Sequence, residues 1–192
     1  MFLSKLISFI KRKVFRLQRE RWNYQYNSGG WEGLKSDLEH ERFMAAVTLF
    51  ERYALGGKIL EVGCGEAILQ QKLKTDSYAF LLGLDLSDVA IERATKLAND
   101  KATYQAADME TFETTQRFEA IIFTESLNYA KNPTALLKKY QQFLAPNGVI
   151  IISMFRSKHI PEIWEALSTA FETKDHIETN NEKGSWDCKV LI

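Results

Sequence analysis

Cysteine, proline and histidine are scarce in this chain: two, three and three among 192 residues. Each scarcity excludes something. Cys64 and Cys188 cannot build a disulfide framework and lack metal-ligand spacing, so they read as reduced thiols. With three prolines and ten glycines there is no low-complexity tract, and no internal repeat is present. No apolar run is long enough to span a bilayer. The phosphate-binding signatures are incomplete as well. G-x-G-x-x-G starts at Gly63 and Gly65 but has Ile68 in third place, and G-x-x-x-x-G-K-[ST] is missing.

What is present suits one compact domain: 45% apolar and 12% aromatic residues, enough for a core but not for two. The net charge of zero is unevenly divided. Residues 1–21 hold seven Lys/Arg against Glu20, while the other 171 residues hold 18 basic and 24 acidic groups. An acidic body is a poor surface for a long nucleic acid, so no such partner is expected.

The basic arm, "MFLSKLISFIKRKVFRLQRERW", is not a secretory signal. Its charges follow its apolar part, Lys5 interrupts that part, and no small-residue cleavage site appears. At about 100° per residue, Phe2, Leu3, Leu6, Ile7, Phe9, Ile10, Val14 and Leu17 share one half of a helical wheel. Lys5, Lys11, Arg12, Arg16 and Arg19 take the other half, and Lys13 and Phe15 break the pattern. Such a helix either lies on an anionic membrane surface or packs on its own domain or a partner copy. The expected location is cytoplasmic, with the inner membrane face as the finer alternative. The oligomeric state stays open.

From Asp37 onward the pattern is helix, then alternating strands and helices. "KILEV", "YAFLLGLDL", "ATYQAAD", "FEAIIFT" and "VIIISMF" read as strands. Ser87 caps the helix after the second strand, and Pro133 opens the helix after the fourth. "FETKDHIETN" and "SWDCKVLI" close the chain as a pair of strands. Nearly all-apolar strands between helices predict an α/β fold, a parallel Rossmann-like sheet covered on both faces. Its ligands sit at the carboxyl ends of the strands.

Three acids follow three successive strands there: Glu61, Asp85 and Asp108. Singly they read as a strand-end charge, a helix cap and a turn. Around Gly63 and Gly65 they read together as a cofactor seat. Glu61 would repel phosphate and welcome an ammonium group. Asp85 stands where a carboxylate meets ribose hydroxyls in nucleotide-binding sheets. Asp108 and Met109 stand where adenine could be met.

"ILEVGCGEA", "LLGLDLS", "AADMETF", "FEAIIFTESLNYAKNP" and "LLKKYQQFLAPNGVIIIS" together resemble the motifs of class I S-adenosylmethionine-dependent methyltransferases, in order and spacing, over residues 37–192. Ala67 stands where that family often has a third glycine. The resemblance implies a doubly wound seven-stranded sheet of order 3-2-1-4-5-7-6, the last strand antiparallel. It implies S-adenosyl-L-methionine as cofactor, bound through Glu61, Gly63, Cys64, Gly65, Asp85, Leu86, Asp108, Met109 and Glu125, and no metal. Residues 1–36 are then an amphipathic helix and an aromatic lid, and residues 37–192 the cofactor-binding domain.

Acceptor residues are harder to read. "TESLNYA" lacks the Asn/Asp-Pro-Pro-aromatic motif of enzymes that methylate adenine or amide nitrogens. Glu125 and Tyr129 follow the fourth strand, where the methyl should point; they serve as base and pocket wall, or as cofactor contacts and turn caps. His40 is a further candidate base, with His159 and His176 behind it. Trp22, Tyr24, Tyr26 and Trp31 offer stacking faces for a lid, or an aromatic cluster joining arm to body. The pairing of "WNYQYNSGGWEGL", "ESLNY" and a terminal "GSWDCKVLI" resembles small bacterial methyltransferases, some of them related to enzymes that modify sugars or amino sugars; joined to the basic arm, it suggests a lipid-linked or growing glycan at the membrane face. The expected reaction is methyl transfer to an oxygen or nitrogen of a small molecule or glycan. The alternatives are a non-catalytic cofactor-binding scaffold, favoured by a pocket that Tyr24, Tyr26 or Trp31 plugs, and an RNA or protein methyltransferase.

Overall fold

The structure is a computed structural model that describes residues 17–192. Most of the amphipathic-arm expectation therefore lies outside the described residues. Residues 17–27 form a helix, α1, that runs into a turn and two 3-10 turns, Glu32–Lys35 and Asp37–Glu39. Then come α2 (His40–Ala54), β1 (Lys58–Val62), α3 (Ile68–Lys72), β2 (Phe80–Asp85), α4 (Asp88–Thr95), β3 (Ala102–Ala106) and β4 (Phe118–Thr124). The chain ends through α5 (Pro133–Tyr140), β5 (Leu144–Phe155), α6 (Ile160–Ser168), β6 (Thr173–Asn181) and β7 (Gly184–Leu191).

The strands form one seven-stranded sheet of order β3-β2-β1-β4-β5-β7-β6. Neighbours among β1 to β5 run parallel, and β7 is antiparallel to both β5 and β6. Both the order and the reversed strand agree with the expectation. The cause is visible in the strands. Successive side chains point to opposite faces, so a strand buried on both sides must be apolar at every position. Ile59, Ile122 and Ile151 pack under α2 with Phe43, Val47 and Phe50. Leu60, Ile121 and Ile150 pack on the other face against Leu136, Leu137 and Tyr140 of α5.

Helix starts follow the caps. Ser87 Oγ accepts the Ala90 N–H at 3.2 Å, and Asn132 Oδ1 accepts the Ala135 N–H at 3.0 Å before Pro133. The helix after β1 is shorter than its sequence suggests because Ala67, at φ 60, is left-handed and delays it. That conformation explains why glycine suits this position: a Cβ there costs about 1–2 kcal/mol. Among the described residues no helix is long and apolar enough to cross a membrane.

Candidate active site

A cavity of about 470 Å³ opens at the carboxyl ends of β1, β2, β3 and β4, within the range of small-molecule sites. Its floor is the turn after β1. Gly63, at φ 79, and Cys64 both donate their N–H groups to the Leu84 carbonyl, at 2.7 and 2.8 Å. A Cβ on Gly63 would overlap the side chain of Ser126, whose hydroxyl donates to the Val62 carbonyl. Gly65, at φ 53, lies under Tyr26; an added Cβ would come within 2.8 Å of the Tyr26 hydroxyl. Both glycines are thus demanded by backbone conformation and by close approach.

The three expected acids all line this cavity. Glu61 is 1% exposed, and burial pushes its carboxyl up to about 8. Thr124 donates to Glu61 Oε1 at 3.3 Å, while Oε2 is buried with no partner. A buried, unpartnered carboxylate oxygen is costly unless a donor or cation meets it. Asp85 is held differently: Oδ2 accepts the Gly65 N–H at 3.0 Å and Oδ1 the Ser87 N–H at 2.8 Å. Burial still raises it to about 6. Asp108 Oδ1 accepts the Glu110 N–H at 2.9 Å, and Met109 lies beside it in the wall. Cys64 and Leu86 line the cavity too.

Glu125 and Tyr129 line the same cavity. Glu125 has φ 57, a conformation rare for a side chain this size and a form of strain common at functional sites. Its carboxylate accepts the Phe155 N–H at 2.9 Å and the Ser153 hydroxyl at 3.3 Å. Burial raises it to about 7, against the lowering effect of Arg42.

The histidines fall elsewhere. His40 is exposed at the start of α2 and does not line the cavity. One residue is about 100° of helix rotation, so Glu39, Arg42 and Phe43 face inward while His40 faces out. His159 is exposed before α6, and His176 binds Asp187 at 2.7 Å, away from the cavity. Tyr24 is 72% exposed and also lies outside.

Sequence reasoning missed Arg42, Phe155 and Trp186. Arg42 is 3% exposed, pairs through Nε with Glu39, and lies over the Phe43 ring. Glu39 also accepts Lys183 at 2.7 Å. The one available signal was a charged i,i+3 pair on the apolar face that Phe43 and Ala46 extend. Phe155 and Trp186 meet edge to face at 5.0 Å, on strands that only the fold joins.

Residues 17–36 form the roof. Trp22 stacks on Trp31 at 5.8 Å and meets Tyr129 edge-on at 4.9 Å. Asn23 Oδ1 accepts the Ser87 hydroxyl at 2.7 Å, Arg19 pairs with Asp88 at 3.0 Å, and Lys35 pairs with Glu66, which Arg93 also holds. The roof is fastened to the loops that carry the acids, yet the cavity beneath Tyr26 and Trp31 stays open.

Comparison with known proteins agrees with this geometry. A ubiquinone biosynthesis O-methyltransferase from Pasteurella multocida is 30% identical over 112 residues, 51% of this chain and 46% of that protein. The chain therefore spans about half the length of this curated relative. N-methyltransferase NodS from Bradyrhizobium japonicum, solved with S-adenosyl-L-homocysteine, has the same fold: TM-score 0.74, 19% identity, 84% of this chain and 90% of that one. So does 1,6-didemethyltoxoflavin-N1-methyltransferase from Burkholderia thailandensis, at TM-score 0.76, 15% identity, 94% of this chain and 88% of that one. A family model described as a methyltransferase domain matches residues 37–186, from the turn before α2 into β7, and the chain belongs to that family.

Proposed function

We propose that this protein is an S-adenosylmethionine-dependent methyltransferase that transfers a methyl group to an oxygen of a small molecule. The observation that carries the reading is the orphaned Glu61 oxygen beside a Gly63 turn with no room for a side chain. That pair suits a ligand with an ammonium group and a chain that must lie on the backbone. Arg42 supplies a buried guanidinium in the same wall, suited to the ligand's carboxylate. Asp85 keeps lone pairs for ribose hydroxyls, and Met109 offers an apolar contact for adenine beside Asp108.

The bound cofactor supplies a methyl group already activated by its sulfonium. What this chain must add is alignment, exclusion of water, and a place for a proton. Tyr26, Trp22 and Trp31 exclude water from above. Glu125, near neutrality and anchored to β5, is the group in the wall suited to take the acceptor's proton. The open cavity favours catalysis over a scaffold role. Membrane contact through residues 1–21 remains a finer part of this proposal, supported by the charge pattern of the arm.

Titration calorimetry tests the reading. Wild type should bind S-adenosylmethionine and S-adenosylhomocysteine at micromolar levels. Asp85→Ala should lose about 1.5–3 kcal/mol, roughly 10- to 150-fold, as charge-assisted hydrogen bonds go. A folded wild type that binds neither ligand would overturn it.

A further inference from the structure

Arg42 lines the cavity, yet it is buried and already paired with Glu39. A guanidinium and a carboxylate in contact are together neutral, so this pair alone offers a ligand little net charge. A third residue changes the sum. Lys183, in the turn between β6 and β7, donates to Glu39 Oε1 at 2.7 Å, while Arg42 Nε donates to Oε2. Two cations share one carboxylate, which leaves the cluster with one positive charge in excess. Arg42 spends Nε on Glu39, and its four Nη–H donors have no hydrogen-bond partner among the described residues.

The turn is built to hold Lys183 in this place. Asn181 Oδ1 accepts the Lys183 N–H at 2.8 Å, and Asn181 Nδ2 donates to the Leu38 carbonyl at 2.6 Å. Leu38 and Glu39 belong to the 3-10 turn Asp37–Glu39, which leads directly into α2. One asparagine therefore clamps the far hairpin onto the segment that carries Glu39. Burial would push Glu39 up, but the bonds from Lys183 and Arg42 outweigh it and hold the carboxyl below its usual range. The Arg42 guanidinium carbon lies 4.1 Å from the centre of the Phe43 ring, a second support for its orientation.

We propose that Lys183 is a positioning residue for the cofactor: by taking one oxygen of Glu39, it keeps the Arg42 guanidinium charged and aimed at the carboxylate of the cofactor's amino acid end. The proposal rests on the methyl-transfer reading above. Lys183 itself does not line the cavity, so it acts through Glu39 and Arg42. Without it, Glu39 would neutralise Arg42 alone, and the ligand's carboxylate would meet a spent charge. Glu125 also feels Arg42, so the ligand competes with a second acid and the charge that Lys183 adds is not surplus.

The test is calorimetry on the full chain with two ligands. S-adenosylhomocysteine carries the ammonium and carboxylate; 5′-methylthioadenosine keeps the adenosine and thioether but lacks both. Lys183 is 42% exposed at a hairpin tip, so Lys183→Met should still fold. It should weaken S-adenosylhomocysteine roughly two- to tenfold, the usual reach of a residue that acts through another, and leave 5′-methylthioadenosine unchanged. Lys183→Arg, which restores the cation, should recover most of the lost affinity. Equal weakening of both ligands would make Lys183 a mere pin for the fold and overturn the proposal. Unchanged S-adenosylhomocysteine affinity in Lys183→Met would overturn it too, as would an arginine that fails to rescue. Failure of wild type to bind S-adenosylhomocysteine would overturn the methyl-transfer reading and this proposal with it.

Discussion

Asp85 and Glu125 end two strands of one sheet and face one cavity, yet they are held in opposite ways. Asp85 is fixed by its own neighbourhood. It accepts N–H groups from Ser87, two residues on, and from Gly65 in the adjoining turn. Glu125 is fixed from far along the chain, by Ser153 and Phe155 of β5, and is strained at φ 57 to reach them. The half of the cavity proposed to seat the cofactor is therefore a property of short loops. The half proposed for the acceptor is a property of the assembled fold. A family can keep the first and vary the second, because loop geometry tolerates few residue types while a wall of side chains tolerates many.

The sharpest way to break this division is at Ser126, where the halves touch. Gly63→Val places a β-branched side chain at φ 79 and drives it into Ser126, the neighbour of Glu125. We expect a stability loss of roughly 2–5 kcal/mol, from left-handed strain together with overpacking. Calorimetry should show no S-adenosylhomocysteine binding. Unchanged melting temperature and affinity would mean that the turn is not the seat.

A smaller effect should separate the two halves by pH. Glu61 is raised to about 8 in the fold, from 4.5. A carboxyl raised in this way contributes stability that is complete below about 4.5 and lost as pH climbs through about 8. Glu61→Gln removes that loss. The ligand-free variant should be more stable than wild type near pH 9, by about 1–3 kcal/mol, and close to it near pH 4. Saturating S-adenosylhomocysteine should reverse the order, since the ammonium group finds its partner in wild type alone. Thermal denaturation with and without the ligand checks both signs. A variant that gains as much from the ligand as wild type would remove Glu61 from the cofactor half.

The same division explains what was legible in the sequence. Gly63, Gly65, Glu61 and Asp85 follow from local pattern, a glycine turn after an apolar strand and acids at strand ends, while the strand order comes from the family resemblance that the motifs carry together. Arg42, Phe155 and Trp186 carry no local signature, because helix phase and strand pairing decide which way they face. His40 shows the limit most plainly. It sits between Glu39 and Arg42, and only the rotation of α2 makes it the outward residue of the three. Ala67 was readable as an altered glycine position, but its left-handed φ of 60 was not.

The roof supplies the finest test of the comparison, because it is tied to the cofactor half and shelters the acceptor half. Lys35 holds Glu66 from the roof side, while Arg93 holds it from α4. Lys35→Met should therefore leave Glu66 paired and cost little, about 0.5 kcal/mol in melting experiments, because the lysine is 45% exposed and half screened. If residues 17–36 must lift for the cofactor to leave, the same change should speed S-adenosylhomocysteine dissociation about twofold in stopped flow, with its association rate nearly unchanged. Raising the salt concentration should produce the same shift in wild type and little in the variant, since screening removes the ion pair that the variant already lacks. Dissociation that ignores both salt and Lys35 would make the roof a fixed wall, and the cofactor would have to leave through the acceptor side.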